Sequence, residues 1–437
     1  MGSTRDNGKM STVEMQIAER LRKFPEEALT NLNQFIDENY LHECFGLLNK
    51  GSANGVDGQS WKDYDEQRKE SVPQLLEAFK SGMYRAPNIR RVYIPKGEGK
   101  QRPLGIPTIE DKLLQTAVSR ILTPIYEGIF YAGSHGFRPG KSQHPALEEL
   151  FVEVSFKRKR YIIDADIQSY FDKINHAELR KFLDQKIKDG VIRKMIDKWL
   201  KAGVWEKGQV KYPTEGTPQG GSISPLLSNI FLHYVLDEWF VKQIKPRLKG
   251  ESFIIRYADD FLLGFTNEED ARRVMEVLPK RFAKYGLRLH PEKTKLIKLD
   301  EDQGEEPKTF DFLGFTHYMG KSRKGKCILK RKTSKKKLRG ALVRMNEWMK
   351  RNRHGPIEGI IAELSKKLRG YYEYYGITFN NTQLKIYYDE VKRMLYKWTN
   401  RCGASNPLSW ERFSLRVNVW SPLAKPKIYH SFILARP

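Results

Sequence analysis

Two adjacent carboxylates, Asp259 and Asp260, lie between two apolar, strand-like stretches in residues 253–265 (FIIRYADDFLLGF). Burying such a pair in a core strand is unfavourable, because an unpaired carboxylate is costly to remove from water. A bound divalent cation is the usual way to hold carboxylates close together, and it would indicate phosphoryl chemistry. An ordinary hairpin turn is the commoner explanation of the dipeptide alone, since Asp tolerates turn conformations.

Three further segments contain groups that phosphoryl chemistry requires. Residues 161–171 (YIIDADIQSYF) form an apolar strand that ends in two carboxylates and an aromatic pair. Residues 215–224 (EGTPQGGSIS) form a Gly-rich turn that contains Gln219. Residues 90–107 (RRVYIPKGEGKQRPLGIP) predict a basic hairpin with glycines at its tip.

The order of these segments resembles the reverse transcriptase family, and in particular the reverse transcriptase/maturase proteins that group II introns encode. Further matches follow in that family's order at residues 133–140 (GSHGFRPG), 286–294 (GLRLHPEKT) and 312–315 (FLGF). The resemblance extends over about residues 40–437. It implies an α+β right-hand polymerase with fingers, a ferredoxin-like palm and a three-helix thumb, the maturase X domain. It also implies an RNA-directed DNA polymerase that binds intron RNA and assists splicing and mobility.

The resemblance assigns catalysis to Asp166, Asp259 and Asp260, and it counts Ile167 with them in the metal site. We expect two Mg²⁺ ions about 3.5–4 Å apart, one at the primer hydroxyl and one at the leaving pyrophosphate, with Mn²⁺ as a substitute. Asp166 and Asp259 are the expected bridging ligands, and Asp260 is a nearby ligand or a tuning charge. Asp164 lies on the same strand face as Asp166, and we expect it to be structural.

A second set matches the family positions that contact the incoming nucleotide: Lys96, Arg102, Phe171, Gln219 and Lys293. Phe171 is expected to form an aromatic wall that clashes with a 2′-hydroxyl and so favours deoxynucleotides. Arg102 would bind phosphate in a bidentate way and Lys96 as a mobile point charge, with Lys100 as an alternative to Lys96. Residues 312–315 are either the primer grip or a core cluster at a strand edge.

The elements that must position these residues follow a β-α-β-β-α-β order, in which the strand at 161–167 lies beside the acidic hairpin. Thr266 and Glu269 predict a capping box for the helix after that hairpin. The expected domains are an N-terminal extension with the first fingers segment, the fingers, the palm with inserted fingers helices, and the thumb. Their expected bounds are 1–75, 76–158, 159–318 and 319–437.

The last hundred residues predict three amphipathic helices, because apolar side chains recur there at i, i+3, i+4 and i+7. A dense basic run (KRKTSKKK, 330–337) lies in the same region. A solvated charged face is one explanation of this run, but like charges repel and phosphate binding explains it better. The residues expected to bind RNA are Lys330, Arg331, Lys332, Lys335, Lys336 and Lys337.

Composition narrows the class of partner. The 437 residues include 78 Lys plus Arg against 53 Asp plus Glu, and the resulting net charge of +25 favours a polyanion. The three cysteines contain no CxxC pair, so neither a zinc knuckle nor a disulfide framework is expected. We expect no membrane span. The protein should be intracellular, in a bacterial cytoplasm and within a ribonucleoprotein, with an RNA template, a DNA primer, dNTPs and group II intron RNA as partners.

Two alternatives to the polymerase interpretation stay open at this level. The protein could be mainly an RNA-binding splicing cofactor, or it could be a domesticated reverse transcriptase in phage defence or repair. No His/Cys cluster follows the predicted thumb, so we expect no nuclease and expect mobility to prime from existing nicks or replication intermediates.

Overall fold

The computed structural model describes residues 12–24, 26–97, 100–217, 220–299, 308–322, 324–401, 408–420 and 422–432. The chain divides into two compact units. Residues 1–146 and 163–296 form the first, and residues 147–162 and 297–437 form the second. No helix within these described ranges has the length and apolar character needed to cross a bilayer.

The N-terminal part of the first unit is helical around a basic hairpin. Its helices are α1 (Thr12–Lys23), α2 (Glu38–Gly46), α3 (Trp61–Lys80), α4 (Ile109–Glu127) and α5 (Gln143–Ser155), the last of which continues into the second unit. The predicted hairpin is confirmed as β1 (Ile89–Gly97) and β2 (Lys100–Ile106), which pair in antiparallel fashion. Ser60 and Asp63 form a reciprocal capping box that begins α3.

The predicted β-α-β-β-α-β order is present. Its strands are β3 (Tyr161–Asp166), β6 (Ser252–Tyr257), β7 (Asp260–Phe265) and β8 (Lys295–Lys298), in the sheet order β6-β7-β3-β8. The intervening elements are α6 (His176–Asp184), α7 (Gly190–Lys201), the short strands β4 (Val204–Glu206) and β5 (Gln209–Lys211), α8 (Ser224–Leu232) and α9 (Glu268–Ala283). The expectation that the acidic hairpin lies beside the first strand is therefore confirmed.

One helix of the first unit continues in an unusual form, and another begins one residue later than predicted. Helix α8 is almost entirely buried. It continues as two π-helical segments, His233–Asp237 and Trp239–Ile244, with the helical residue Glu238 between them. The predicted cap at Thr266 is wrong, because α9 is capped by Asn267, whose side chain accepts from the Asp270 N–H at 3.2 Å. Asn is at least as good a helix cap as Thr, and one residue of offset lies within the usual uncertainty of a helix end.

The second unit joins a three-stranded sheet to a helical bundle. The strands are β9 (Phe310–Phe312), β10 (Phe315–Lys321) and β11 (Cys327–Thr333), in the order β11-β10-β9. The helices are α10 (Lys335–Asn352), α11 (Ile357–Tyr375), α12 (Asn381–Asn400) and α13 (Trp410–Leu415). The three predicted amphipathic helices are confirmed, since the apolar stripes of α10, α11 and α12 form one buried cluster.

A buried acid on α4, Asp111, accepts hydrogen bonds from a residue that follows α3 and from one on α7. The Asp111 Oδ1 atom accepts from the Tyr84 hydroxyl at 3.1 Å and from the Trp199 Nε1–H at 2.9 Å. Burial raises the pKa of Asp111 to about 7. The folded chain therefore holds a proton that the unfolded chain releases near pH 4, so the stabilisation from this group is full at low pH and is lost as pH rises through 7.

We expect Asp111→Asn to remove this pH dependence, because the amide oxygen can accept both hydrogen bonds without a charge. Relative to the natural protein, the free energy of unfolding of the variant should rise by on the order of 2 kcal/mol between pH 5 and pH 8. Denaturant unfolding at both pH values measures this difference, with the surface variant Asp65→Asn as control. A difference that stays constant across the two pH values would contradict the assignment.

Candidate active site

The acidic turn lies at the end of the hairpin formed by β6 and β7. Asp260 opens β7 opposite Tyr257, and the two residues between them form the turn. Ala258 has a φ of 60°, a left-handed conformation that is unfavourable for a residue with a side chain. Since β7 pairs with β3, the turn is brought to the strand whose last residue is Asp166.

The carboxylates of these strands form one electrostatic group. The pKa of Asp260 is raised well above its usual value, first by burial and then by the charges of Asp164, Asp259 and Asp166. The Lys293 ammonium opposes this shift. Asp164, which we expected to be structural, is the first of these charged neighbours, so the structure brings together four acids where the sequence argument relied on three.

Lys293 is the positive charge of this group. Its Nζ lies 2.7 Å from the Asp166 Oδ2 atom. The backbone positions it, because the His290 N–H donates to the Asp166 carbonyl at 2.8 Å and Ile167 pairs with Leu289. Ile167 itself is buried, so any contribution from it to a metal site comes through its backbone.

The chemistry of the donors fits a hard divalent cation. Mg²⁺ prefers carboxylate oxygens together with substrate phosphates, and a crowd of acids with a raised pKa is relieved by such an ion. As the chain stands, no three His, Cys, Asp or Glu side chains of the described residues are gathered tightly enough to hold an ion. Lys293 occupies the Oδ2 atom of Asp166, so a metal ion that binds this oxygen must displace the ammonium.

Phe171 lies on a short helical turn, Tyr170–Asp172, that follows β3. The Tyr170 hydroxyl donates to the Ser228 carbonyl at 2.6 Å and anchors this turn to α8. The Thr217 N–H donates to the Phe171 carbonyl at 2.7 Å, and a Cβ on Gly216 would lie 2.9 Å from the same oxygen. The half-buried Phe171 therefore lies directly against the Gly-rich turn.

The remaining nucleotide-site candidates are placed only in part. Arg102 is half-buried on β2, opposite Ile94. Gln219 lies outside the described residues, and of Lys96 only the backbone, in β1, is described. Gly220 has a φ of 123°, and a Cβ there would overlap the Gly105 carbonyl, so the Gly-rich turn meets the end of β2.

The predicted RNA-binding residues separate into a surface set and a buried residue. Lys335, Lys336 and Lys337 are exposed in the first turn of α10, and Lys330 and Lys332 are half-buried on β11. Arg331 corrects the prediction, since it is fully buried. Alternate residues of a strand face opposite sides, so the guanidinium of Arg331 faces inward.

Arg331 instead packs against aromatic rings of its own unit. Its guanidinium carbon lies 4.3 Å from the ring centre of Phe432 and 5.6 Å from that of Phe151. Burial lowers the pKa of Arg331 to about 9. A buried side chain of this kind cannot contribute to a solvent-facing phosphate surface.

The sequence argument missed the group that holds the acidic turn. Arg256 is fully buried, and its Nε and Nη2 atoms donate to the two carboxylate oxygens of Asp237 at 2.8 and 2.6 Å. Its Nη1 donates to Asn229 Oδ1 at 2.8 Å and to the Ala258 carbonyl at 3.0 Å. The signal was present, because a charged residue inside an apolar strand requires a buried partner.

The segment at 133–136 supports the same turn from outside the sheet. The Arg256 N–H donates to the Gly133 carbonyl and the His135 N–H donates to the Arg256 carbonyl, both at 2.8 Å. Asn229 Nδ2 donates to the Gly136 carbonyl at 2.7 Å. A Cβ on Gly136 would overlap the Ala258 nitrogen and lie 2.8 Å from the Tyr257 carbonyl carbon. This close approach explains the glycine in the 133–140 motif.

The profile of the family described as reverse transcriptase (RNA-dependent DNA polymerase) matches residues 94–317, which include both acidic strands. The chain belongs to the reverse transcriptase family. Within this family it is related to proteins that group II introns encode.

Several curated relatives support this placement of the reverse transcriptase. The group II intron-encoded protein LtrA of Lactococcus lactis subsp. cremoris is 40% identical over 247 residues, which are 54% of this chain and 40% of LtrA. The protein YkfC of Escherichia coli is 32% identical over 318 residues, 64% of this chain and 80% of YkfC. An uncharacterized 91 kDa protein in the cob intron of Schizosaccharomyces pombe is 34% identical over 237 residues, 54% of this chain and 28% of that protein. The chain thus matches less than half of the length of LtrA.

The close approach at Gly136 gives a direct test of how this protein holds its acidic turn. We expect Gly136→Ala to lower the free energy of unfolding by about 1–3 kcal/mol, the usual cost of overpacking, and to displace the turn at Ala258. Gly190→Ala is the matched control, because a Cβ there has no heavy atom within 4 Å and the change should be neutral or slightly stabilising. Equal unfolding midpoints for the two variants would show that the turn is not held by this contact.

Proposed function

We propose that this protein is an RNA-directed DNA polymerase of the group II intron type, which copies RNA into DNA by two-metal nucleotidyl transfer. The observation that carries the proposal is the pairing of β3 with the acidic hairpin. It places the charges of Asp164, Asp166 and Asp259 around Asp260. Neither strand gains stability from four carboxylates held so close together. A divalent cation shared between them explains why they are there.

We further propose that the fold is that of a right hand. Residues 76–158 would form the fingers after an N-terminal extension at 1–75, 159–318 a ferredoxin-like palm with inserted fingers helices, and 319–437 a helical thumb of the maturase type. The β-α-β-β-α-β order supports the palm, and the cluster of three amphipathic helices supports the thumb.

In this proposal Asp166 and Asp259 would hold the metal ions, Asp260 would be a nearby ligand or a tuning charge, and the backbone of Ile167 would complete the site. Bound Mg²⁺, or Mn²⁺ in its place, would activate the primer hydroxyl and neutralise the leaving pyrophosphate. Lys293 holds Asp166 in place before the substrate enters. An incoming phosphate offers the Lys293 ammonium an alternative anion, so substrate entry would free the oxygens of Asp166.

The nucleotide itself would be bound by the fingers hairpin and by the turn that follows β3. Lys96 and Arg102 would grip the triphosphate, and Gln219 would contact the nascent base pair. Phe171 would exclude a 2′-hydroxyl, and the contacts of its carbonyl oxygen with residues 216 and 217 support a fixed backbone at this position. If the Phe171 ring excludes the 2′-hydroxyl, Phe171→Ala should incorporate ribonucleotides more readily than the natural protein. A primer-extension assay measures this incorporation.

The polymerase proposal predicts that neutralising Asp166 or Asp259 lowers activity, whereas neutralising Asp260 raises stability. We expect Asp166→Asn and Asp259→Asn to reduce extension of a DNA primer on an RNA template by about 1,000-fold, since a metal ion contributes several kcal/mol to such a transition state. Asp260→Asn should raise the melting temperature in magnesium-free buffer, because it removes a carboxylate charge that burial and the neighbouring acids disfavour.

The surface variant Asp65→Asn serves as control for both measurements and should leave each unchanged. Extension by Asp259→Asn at the natural rate, in a protein that melts normally, would remove the site. A lower melting temperature of Asp260→Asn would show that its charge is compensated in the folded chain.

We also propose that the second unit binds intron RNA to assist splicing, a role that could accompany polymerisation or be the main one. Lys335, Lys336 and Lys337 begin α10, and the first turn of that helix contains no acidic residue. Cations at a helix N-terminus oppose the helix dipole, so the three lysines do not serve helix stability. A polyanion explains their position.

We expect the triple change of Lys335, Lys336 and Lys337 to Gln to make the binding of a structured RNA less dependent on salt. If each lysine neutralises one phosphate, the slope of log affinity against log salt concentration should become shallower by about 2. The charge-matched control replaces the exposed Lys62, Lys69 and Lys80 of α3. Equal changes of slope in the two triple variants would indicate a general charge effect and contradict a local binding surface.

A further inference from the structure

A cavity of about 270 Å³ lies at one end of the helical bundle of the second unit. It is formed by the end of α10, the loop that follows it, the start of α11 and the end of α12. Its lining includes Met349, Arg353, Gly355, Ile357, Leu395 and Trp398. No part of the acidic site contributes to it.

The wall of this cavity combines apolar side chains with one rigid aromatic ring. Met349, Ile357, Ile360 and Leu395 provide aliphatic surface. Trp398 is only 8% exposed. Its Nε1–H donates to Asn346 Oδ1 at 2.9 Å, which fixes the plane of the indole. A cavity of this size, lined by aliphatic side chains, an indole and a guanidinium, suits a single nucleobase, because bases stack on aromatic and guanidinium planes.

Three cations surround the same indole. The charged groups of Arg353, Lys397 and Arg401 lie 5.4, 5.4 and 5.5 Å from the Trp398 ring centre. No acidic side chain lines the cavity. The N-terminal end of α11 opens into it and adds the positive end of a helix dipole. Lys397 and Arg401 also stabilise the C-terminal end of α12 by opposing its helix dipole. This role explains neither Arg353 nor the cavity beside it.

We propose that this cavity binds one unpaired nucleotide of an RNA strand, with the base in the slot beside Trp398 and the phosphate among Arg353, Lys397 and Arg401. The inference rests on the proposed RNA binding of the second unit and not on the polymerase site. Lys335–Lys337 and Arg353 stand at opposite ends of α10, about 25 Å apart. One RNA molecule can therefore contact both, with paired phosphates at the lysines and an extruded base in the cavity.

The test uses the whole protein and an eight-nucleotide adenosine RNA that carries one photoreactive 8-azidoadenine. Gly355→Leu fills the cavity without changing charge. The backbone accepts a side chain there, because a Cβ on Gly355 meets only the Asn352 carbonyl at 3.5 Å and the Ile360 Cγ1 at 3.9 Å. Arg353→Gln removes one cation, and Arg351→Gln is the matched control on the same helix, since Arg351 is exposed and does not line the cavity.

We expect irradiation to attach the RNA to peptides that contain residues 349–360 or 395–401. The yield should fall at least fivefold in Gly355→Leu and in Arg353→Gln and stay within twofold in Arg351→Gln. Primer extension by Arg351→Gln should be normal, whereas Asp259→Asn should lose extension and keep the crosslink. These two readouts separate a failure of this inference from a failure of the polymerase proposal.

Equal crosslink yields in all variants that melt normally would overturn the proposal. Competition distinguishes the sources of the ligand. Displacement by AMP as effective as that by unlabelled RNA would overturn the assignment to an RNA strand in favour of a free nucleotide. Displacement by a phosphoserine peptide and not by AMP would overturn it in favour of a protein partner.

Discussion

The acidic turn depends on one buried ion pair. Arg256 and Asp237 are both shielded from water, and their bidentate contact would be costly to form if any donor stayed unpaired. Asn229 and the Ala258 carbonyl satisfy the remaining guanidinium nitrogen. The same group that neutralises Asp237 thus fixes the left-handed residue before Asp259. Removal of either partner would leave a buried charge, which typically costs about 3–5 kcal/mol.

This anchoring allows the protein to keep acids where charge repulsion would otherwise separate them. The hairpin cannot move away from β3 while its turn is bound to α8 and to the segment at 133–136. Burial, together with this repulsion, therefore raises the pKa of Asp260 well above its usual value. The chain carries a net charge of +25. Of the many cations in the described part of the chain, Lys293 is the one that the structure shows in contact with Asp166. In the proposed mechanism, the crowded acids would provide the affinity for a divalent cation.

Local sequence patterns predicted the helices and strands better than the tertiary contacts of individual side chains. The acidic hairpin, its place beside the strand at 161–166 and the three amphipathic helices follow from apolar periodicity and from the resemblance, and each is confirmed. The partner of Arg256 lies 19 residues earlier in the chain, on a helix whose π-turns no periodicity indicates. Arg331 was misplaced because the basic run was considered as a whole, although strand alternation turns every second residue inward. The charge of Asp164 beside Asp260 could not be predicted, because sequence spacing gives the face of a strand but not the charges opposite it.

Manganese binding tests the central claim most directly. Crystals soaked in Mn²⁺ and measured at its absorption edge locate the ion by anomalous scattering, without any requirement for activity. We predict manganese between the carboxylates of Asp166 and Asp259, with Lys293 moved away from Asp166, and we predict its loss in Asp259→Asn. Manganese found only at other acids of the surface, with the pair between Lys293 and Asp166 intact at saturating ion, would contradict the account.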